Sequence, residues 1–172
     1  MMAQRRLTVK EKANIVFERL KVKSVLHNLR NILFVIRRYK NWSEIVILKC
    51  FIRKELTTAI LRNGIKIDAP KNNTLCEMVD EIFFKRVYTP NDLPIGSDDI
   101  VVDIGANIGI FTILAASRTR NVIYAFEPFP ENVEFLNHNI YTNGFHNIIT
   151  HTVAVSDKVG VERLFLTNIP LE

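Results

Sequence analysis

The 172-residue chain is long enough for one globular domain with an appendage, and its 48% apolar composition is that of a globular protein. No run of 18 apolar residues occurs and the first residues lack an apolar leader core, so neither a membrane-spanning helix nor a signal peptide is predicted. Residues 1–66 hold 16 Lys and Arg against 4 Asp and Glu, whereas the remainder holds 7 against 14. The basic half could attract nucleic acid, an anionic membrane surface or an acidic glycan carrier, or it could be a solvated helical face.

The sequence of residues 1–73 predicts a basic helical region that ends in a β-hairpin. Apolar periodicity predicts three helices, over residues 9–26, 29–39 and 44–55. Ser43 is the expected N-cap of the third helix. Asn63-Gly64 lies between two apolar runs, which predicts a hairpin over about 57–69.

The two cysteines, Cys50 and Cys76, stand alone in apolar helical contexts. Neither belongs to a CxxC pair, and no His pair lies nearby, so no metal site is predicted. Buried thiols in a reducing compartment are the expected state, which favours a cytoplasmic location. The basic helices would also allow peripheral contact with a membrane surface.

Residues 74–172 predict a second unit of alternating helices and strands. Thr74 to Glu77 has the pattern of a capping box, which opens a helix to about Arg86. Residues 98–128 then read as a strand at 100–104, a glycine turn, a helix at 110–116 and a strand at 122–126. Strands as apolar as these are expected to be buried on both faces of a parallel sheet, joined by a right-handed crossover.

The remaining elements continue the same alternation. Pro130 fits the first turn of a helix that runs to about Asn143, where Gly144 ends it. A third core strand is predicted over 147–155, and a returning strand over 161–167.

The turn between the first strand and its helix favours one class of cofactor. A dinucleotide-binding G-x-G-x-x-G turn would need glycine at positions 105, 107 and 110, and only Gly105 is present. No Gly-Lys-Ser/Thr follows, which excludes a P-loop. The D-x-G-x-x-x-G pattern from Asp103 to Gly109 is instead that of class I S-adenosylmethionine (SAM) methyltransferases. Asp103 suits the cationic amino end of SAM, free N–H groups at the helix start suit its carboxylate, and Glu127 suits the ribose hydroxyls.

Three segments in register carry a resemblance to a known family. VVDIGANIGIFTILAA, VIYAFEPFPENVEFLNHNIYTNG and AVSDKVG resemble the FkbM family of SAM-dependent methyltransferases, including the spaced asparagines Asn139 and Asn143. The resemblance implies a Rossmann-like class I methyltransferase fold, SAM as cofactor, and O-methylation of a sugar or another small-molecule hydroxyl. It implies these cofactor-binding residues: Asp103, Gly105, Ala106, Asn107, Gly109, Glu127 and, near the adenine, Ala154.

The resemblance stops before the acidic I-D-x-E-G-x-E segment with which FkbM proteins continue. The sequence is therefore expected to form an incomplete parallel sheet with exposed strand edges. It is interpreted as a fragment, a truncated reading frame or a chain completed by a partner polypeptide.

No catalytic residue is assigned, because acceptor-binding groups usually come from the missing half. His138, His146 and His151 are candidates by residue type only. Tyr88 is a candidate for contact with the cofactor or the acceptor, and a tyrosine packed under the sheet edge is the favoured alternative. Two other functions stay open: an RNA methyltransferase, because of the basic N-terminal half, and a non-catalytic remnant or interaction module.

Overall fold

The computed structural model of the chain describes residues 29–48, 55–71, 74–161 and 163. The helix predicted over residues 9–26, the end of the third predicted helix, Cys50 and most of the returning strand lie outside the described residues. Cys76 is buried, as predicted.

The N-terminal part contains two helices and a hairpin: α1 over 29–38, α2 over Trp42–Ile47, β1 over Thr58–Ile60 and β2 over Lys66–Asp68. The two strands pair antiparallel with Ala59 opposite Ile67, which confirms the predicted hairpin. The predicted cap at Ser43 is wrong, because α2 begins at Trp42 and Asn41 is its N-cap. The Asn41 side chain accepts from the N–H of Ile60 and donates to the carbonyl of Thr58, each at 3.0 Å, so it satisfies the outer edge of β1.

The next helix, α3 over Leu75–Val79, begins where predicted and continues as a wider π-helical turn over Asp80–Phe84. Thr74 occupies the N-cap position, but its side chain makes no capping hydrogen bond, so the capping box does not form. The helix ends before Arg86, whose φ of 54° is left-handed.

The second part is a parallel sheet with crossover helices: β3 over Val101–Ile104, α4 over Ile110–Ala116, β4 over Ile123–Phe126, α5 over Pro130–Asn143 and β5 over Ile148–His151. The strand order is β3-β4-β5, with Asp103 beside Ala125 and Ala125 beside Thr150. This is the predicted Rossmann-like α/β arrangement. The third strand is shorter than expected, because β5 ends at His151 rather than at Val155.

The two faces of this sheet differ in burial. Asp103, Ile123 and Ala125 are buried on the face that α4 and α5 cover. On the opposite face, the side chains of Val102 and Ile104 are 55% and 64% exposed. The expectation that β3 is buried on both faces is therefore wrong, because no helix among the described residues covers that second face.

One hydrophobic core joins the hairpin to α4. It runs from Tyr39 and Ile67 through Leu75 to Ile110 and Ile113. The domain boundary predicted at residue 73 stays a prediction, and the core is continuous across it. In the described part of the chain, no helix combines the length and the apolarity needed to span a bilayer.

Candidate cofactor site

The turn after β3 is shaped by three residues in the left-handed region of backbone space. Gly105, Asn107 and Gly109 have φ of 77°, 50° and 86°. Asparagine is one of the few residues with a side chain that adopt this region readily. The Asn107 carboxamide also accepts a hydrogen bond from the N–H of Ile108 at 2.8 Å. Asn107 thus supplies the conformation that glycine would supply, a role that the sequence analysis missed.

Gly109 serves a second purpose, which is the close approach of α5 to the start of α4. A Cβ atom built on Gly109 would collide with the side chain of Leu136. Only glycine combines this contact with the left-handed backbone, so Gly109 fixes how α4 and α5 pack. Gly109 does not itself line the adjacent cleft.

The backbone N–H groups of the turn already have acceptors within the protein. Those of Gly105 and Ala106 donate to the carbonyl of Phe126 at 2.9 and 3.0 Å, and that of Asn107 donates to Oε2 of Glu127 at 2.8 Å. The N–H of Gly109 donates to the carbonyl of Ala106. The N–H groups of residues 105–107 are thus held by Phe126 and Glu127 and are not free donors, whereas the role of the N–H groups at the helix start in holding a carboxylate stays a prediction.

Asp103 is a buried carboxylate, only 8% exposed, at the end of β3. Its Oδ2 accepts a hydrogen bond from the hydroxyl of Thr112 on α4. Burial raises the pKa of Asp103, hydrogen bonds from the Thr112 side chain and backbone partly oppose this, and the charge of Glu127 raises the pKa further. Among the described residues, no Lys, Arg or His forms an ion pair with Asp103, and its carboxylate is stabilised by the hydrogen bonds from Thr112.

Glu127 is 6% exposed and lies just beyond the end of β4. It stands two residues after Ala125, the ladder neighbour of Asp103, so both carboxylates belong to the same face of the sheet. Besides its bond to the turn, its Oε1 accepts from the N–H of Phe129 at 3.1 Å and from Nδ2 of Asn132 at 3.2 Å. A carboxylate has about four acceptor positions, so about one remains for a ligand rather than the two that a ribose diol would use.

A cleft of about 330 Å³ opens at the carboxyl end of β3. Four of the predicted cofactor residues line it: Asp103, Gly105, Ala106 and Asn107. Its other walls come from α3 with the π-helical turn, β3, the start of α4 and one loop: Met78, Ile82, Tyr88, Val102, Ile104, Ile108, Ile110 and Phe111. Glu127 lies behind this lining, in contact with the backbone of Asn107. Ala154 is exposed three residues after β5 and is not part of the lining, so its role stays a prediction.

Tyr88 lies at the mouth of the cleft. Its side chain is 62% exposed, and its ring centroid is 5.7 Å from that of Phe111. The alternative of a tyrosine packed under the sheet edge is therefore wrong.

None of the three candidate histidines lines the cleft. His138 Nε2 lies 2.9 Å from Oδ2 of Asp68 on the hairpin, His146 is exposed, and His151 stacks on Phe126 at 4.7 Å.

Asn139 on α5 joins the cofactor turn to the hairpin. It is fully buried, and its Nδ2 donates to the carbonyl of Ile108 at 2.8 Å and to that of Asp68 at 2.9 Å. Its Oδ1 accepts from the N–H of Asp68 at 2.8 Å. One turn later, Asn143 makes the matching pair of bonds to the backbone of Lys66. The spacing of four residues between Asn139 and Asn143 is apparent in the sequence, but the hydrogen-bond partners of these two residues lie about seventy positions away in the chain.

The fold and the cleft define a class of protein: a Rossmann-like α/β protein with a cleft at the carboxyl edge of its parallel sheet, where proteins of this architecture bind ligands. The amino-acid sequence is similar to that of a methyltransferase over about half of the chain. The chain is 35% identical over 85 residues to the 31-O-demethyl-FK506 methyltransferase FkbM of Streptomyces tacrolimicus, covering 49% of this chain and 32% of that protein. This match confirms the resemblance to FkbM that the motifs indicated.

Two further relatives match shorter stretches. The AMB antimetabolite synthetase AmbE of Pseudomonas aeruginosa is 36% identical over 40% of this chain and 3% of its own length. An uncharacterized protein of Methanocaldococcus jannaschii is 39% identical over 31% of this chain and 20% of its own length. The matched part of the chain thus spans about a third or less of each relative. No family model matches the chain.

Two solved structures align over part of the fold. TYW2 of P. horikoshii in complex with MeSAdo aligns with a TM-score of 0.42 and 22% identity, over 60% of this chain and 39% of that one. Trm5b of Pyrococcus abyssi aligns with a TM-score of 0.39 and 22% identity, over 56% and 28%. At these TM-scores the alignments assign no function to the chain.

Proposed function

We propose that the chain forms the cofactor-binding half of a SAM-dependent methyltransferase similar to FkbM. One observation carries the proposal: two buried carboxylates, Asp103 and Glu127, share one face of the sheet, and no cation among the described residues forms an ion pair with Asp103. Such a site is electrostatically incomplete, because a buried charge is costly unless it is paired. SAM carries an ammonium and a sulfonium group, and a cationic ligand would lower the raised pKa of Asp103.

The residues that surround the cleft fit this cofactor. The volume of about 330 Å³ is at the small end of the range of ligand pockets. Asp103 would hold the amino group of SAM, and the remaining acceptor position of Glu127 would take a ribose hydroxyl. Tyr88 and Phe111 would flank the ligand at the cleft mouth. When bound, SAM supplies the electrophilic methyl group.

The acceptor that we propose is a hydroxyl group of a sugar or another small molecule. The support for it is the likeness to FkbM, whose name describes methylation of an oxygen. The chain's own part in such a reaction would be to hold and orient the donor, since alignment of donor and acceptor supplies much of the rate. A cytoplasmic location belongs to the same proposal, in keeping with the isolated Cys50 and Cys76.

A second candidate is an RNA methyltransferase. It is favoured by one observation, the excess of 16 Lys and Arg over 4 Asp and Glu in residues 1–66. The two candidates share the cofactor and differ only in the acceptor.

Isothermal titration calorimetry of the chain with SAM and with S-adenosylhomocysteine tests the proposal. Binding in the micromolar range is expected, with affinity about tenfold or more weaker in Asp103→Asn, which keeps the shape of the side chain and removes its charge. Asp98→Asn removes an exposed carboxylate outside the cleft and is the matched control. Absence of binding, or equal affinities in the two variants, would contradict the proposal.

A further inference from the structure

A second cleft, of about 390 Å³, lies at the opposite end of α4 from the cofactor cleft. Its lining brings together four arginines from three separate parts of the chain: Arg37, Arg38, Arg62 and Arg118. The remaining described residues of the lining are Leu61, Asn63, Phe83, Phe84, Leu114 and Ser117, so none of the residues that the structure describes brings a carboxylate into this arginine cleft. Arg38 is paired with Asp80, but the other three positive charges in this space repel one another, and an anion there would relieve the repulsion.

Two of the four guanidinium groups are held in place by the fold. Arg38 Nη1 is 3.1 Å from Oδ1 of Asp80, and its guanidinium lies over the rings of Phe34 and Phe84 at 3.0 and 4.2 Å. Arg62 donates from Nε and Nη2 to the carbonyl of Ile36 at 3.0 and 2.7 Å. Because a guanidinium group has five N–H donors, each of these arginines keeps donors for a ligand and loses little entropy in binding it.

The other two guanidinium groups have no carboxylate partner within the described ranges. Arg37 is exposed on α1, and Arg118 is half-buried just after α4. The lining therefore combines two guanidinium groups that the fold holds in place with two that can adjust to a ligand. Asn63 adds amide donors, since its carboxamide oxygen already accepts from the N–H of Ile65.

We propose that the arginine cleft binds the phosphate of a nucleotide, either free or within single-stranded nucleic acid. Guanidinium groups match the oxygens of a phosphate in bidentate pairs, which favours phosphate over a spherical anion. The rings of Phe83 and Phe84 in the same lining give an attached base an aromatic surface on which to stack.

This site is separate from the proposed cofactor site. The two clefts share no lining residue, and the π-helical turn lies between them, with Ile82 in one and Phe83 in the other. Binding at the arginine cleft therefore does not depend on SAM, and its measurement can fail or succeed independently of the cofactor experiment.

The test uses the whole chain and three probes: inorganic pyrophosphate and uridine diphosphate by calorimetry, and a labelled oligouridylate of about 12 nucleotides by fluorescence anisotropy. The test variant is Arg37→Glu with Arg118→Glu. The matched control is Arg30→Glu with Arg120→Glu, which changes the net charge equally at two exposed arginines outside the cleft, one on the same helix and one two residues further along. Circular dichroism establishes that both variants are folded.

The test variant is expected to bind the probes at least about tenfold more weakly than the control does. For the oligonucleotide, the slope of log affinity against log salt should fall by about 1.4, which corresponds to two lost phosphate contacts. If the test variant binds all three probes more weakly than the control does, the ligand of the cleft is the phosphate of a free nucleotide. If only the oligonucleotide binds, the ligand is the phosphate of a nucleic-acid backbone. Equal weakening in both variants, no binding of any probe at about 0.15 M salt, or binding to anionic lipid vesicles alone would overturn the proposal.

Discussion

The two faces of the parallel sheet have similar apolar side chains but very different surroundings. Ile123 and Ala125 are fully buried under α4 and α5, whereas Val102 and Ile104 on the other face remain more than half exposed. The difference teaches that the burial of a strand is decided by what packs on it rather than by its composition. Asp103 and Glu127 both belong to the covered face, so the proposed cofactor site depends on how α4 and α5 dock.

The largest effect is expected from a change that breaks the docking of the two helices. Gly109→Ala forces a side chain into a left-handed conformation and against Leu136, which should lower the free energy of unfolding by about 4 kcal/mol. Chemical denaturation measures this loss. Gly144→Ala is the control, since Gly144 is also left-handed but has open space around it, and should cost only about 1 kcal/mol. Equal losses in the two variants would show that Leu136 does not restrict position 109.

A smaller effect is expected where α5 holds the hairpin. Asn139→Ala leaves one buried and two partly buried backbone groups without their partner and should lower the free energy of unfolding by about 3 kcal/mol. Asn143→Ala should cost less, about 1 to 2 kcal/mol, because Asn143 is only half-buried.

The affinity for SAM is expected to distinguish Asn139 from Asn143 more sharply than the free energy of unfolding does. Asn139 bonds to Ile108 in the cofactor turn, whereas the bonds of Asn143 go to Lys66 and to α5 itself. At a temperature where both variants are folded, only Asn139→Ala should weaken SAM binding in calorimetry. A loss of affinity in Asn143→Ala of the same size would contradict the proposed link between Asn139 and the turn.

The pH dependence of stability tests the buried charge on the covered face. The pKa of Asp103 is raised in the folded state, so the ionised carboxylate destabilises the fold above that pKa. This cost is relieved as the pH falls through the raised pKa towards the ordinary aspartate value. Asp103→Asn should therefore melt at a higher temperature than the wild type at pH 7, with a difference that shrinks in mild acid. A lower melting temperature for this variant at pH 7 would contradict the assigned cause.

The smallest effects are expected from one substitution, Ile to Val, made separately on each face of the sheet. Ile123→Val on the covered face should cost about 1 kcal/mol of unfolding free energy, because it leaves a small cavity. Ile104→Val on the open face should change the free energy by less than about 0.5 kcal/mol. Similar costs at both positions would mean that the open face is covered in solution.

Local sequence patterns predicted the helices, the strands and the glycine turn, because the conformation of each depends on residues close by in the chain. The Asn63-Gly64 hairpin and the order of strands and helices follow from turn residues and apolar runs. The left-handed conformation of Asn107 could not be predicted, since asparagine adopts many conformations. The sequence also could not predict that N–H groups of the turn donate to Phe126 and Glu127, because these bonds depend on contacts between separate strands.

The hairpin is held on both edges by side-chain amides: Asn41 bonds to the backbone of β1, and Asn139 and Asn143 bond to that of β2. These amides recognise main-chain atoms, which every residue type except proline presents alike. The side chains of the two strands other than the buried Ala59 and Ile67 are thus free to diverge during evolution without loss of these bonds. The three asparagines are constrained instead, because a shorter or a charged replacement cannot both donate and accept at that reach.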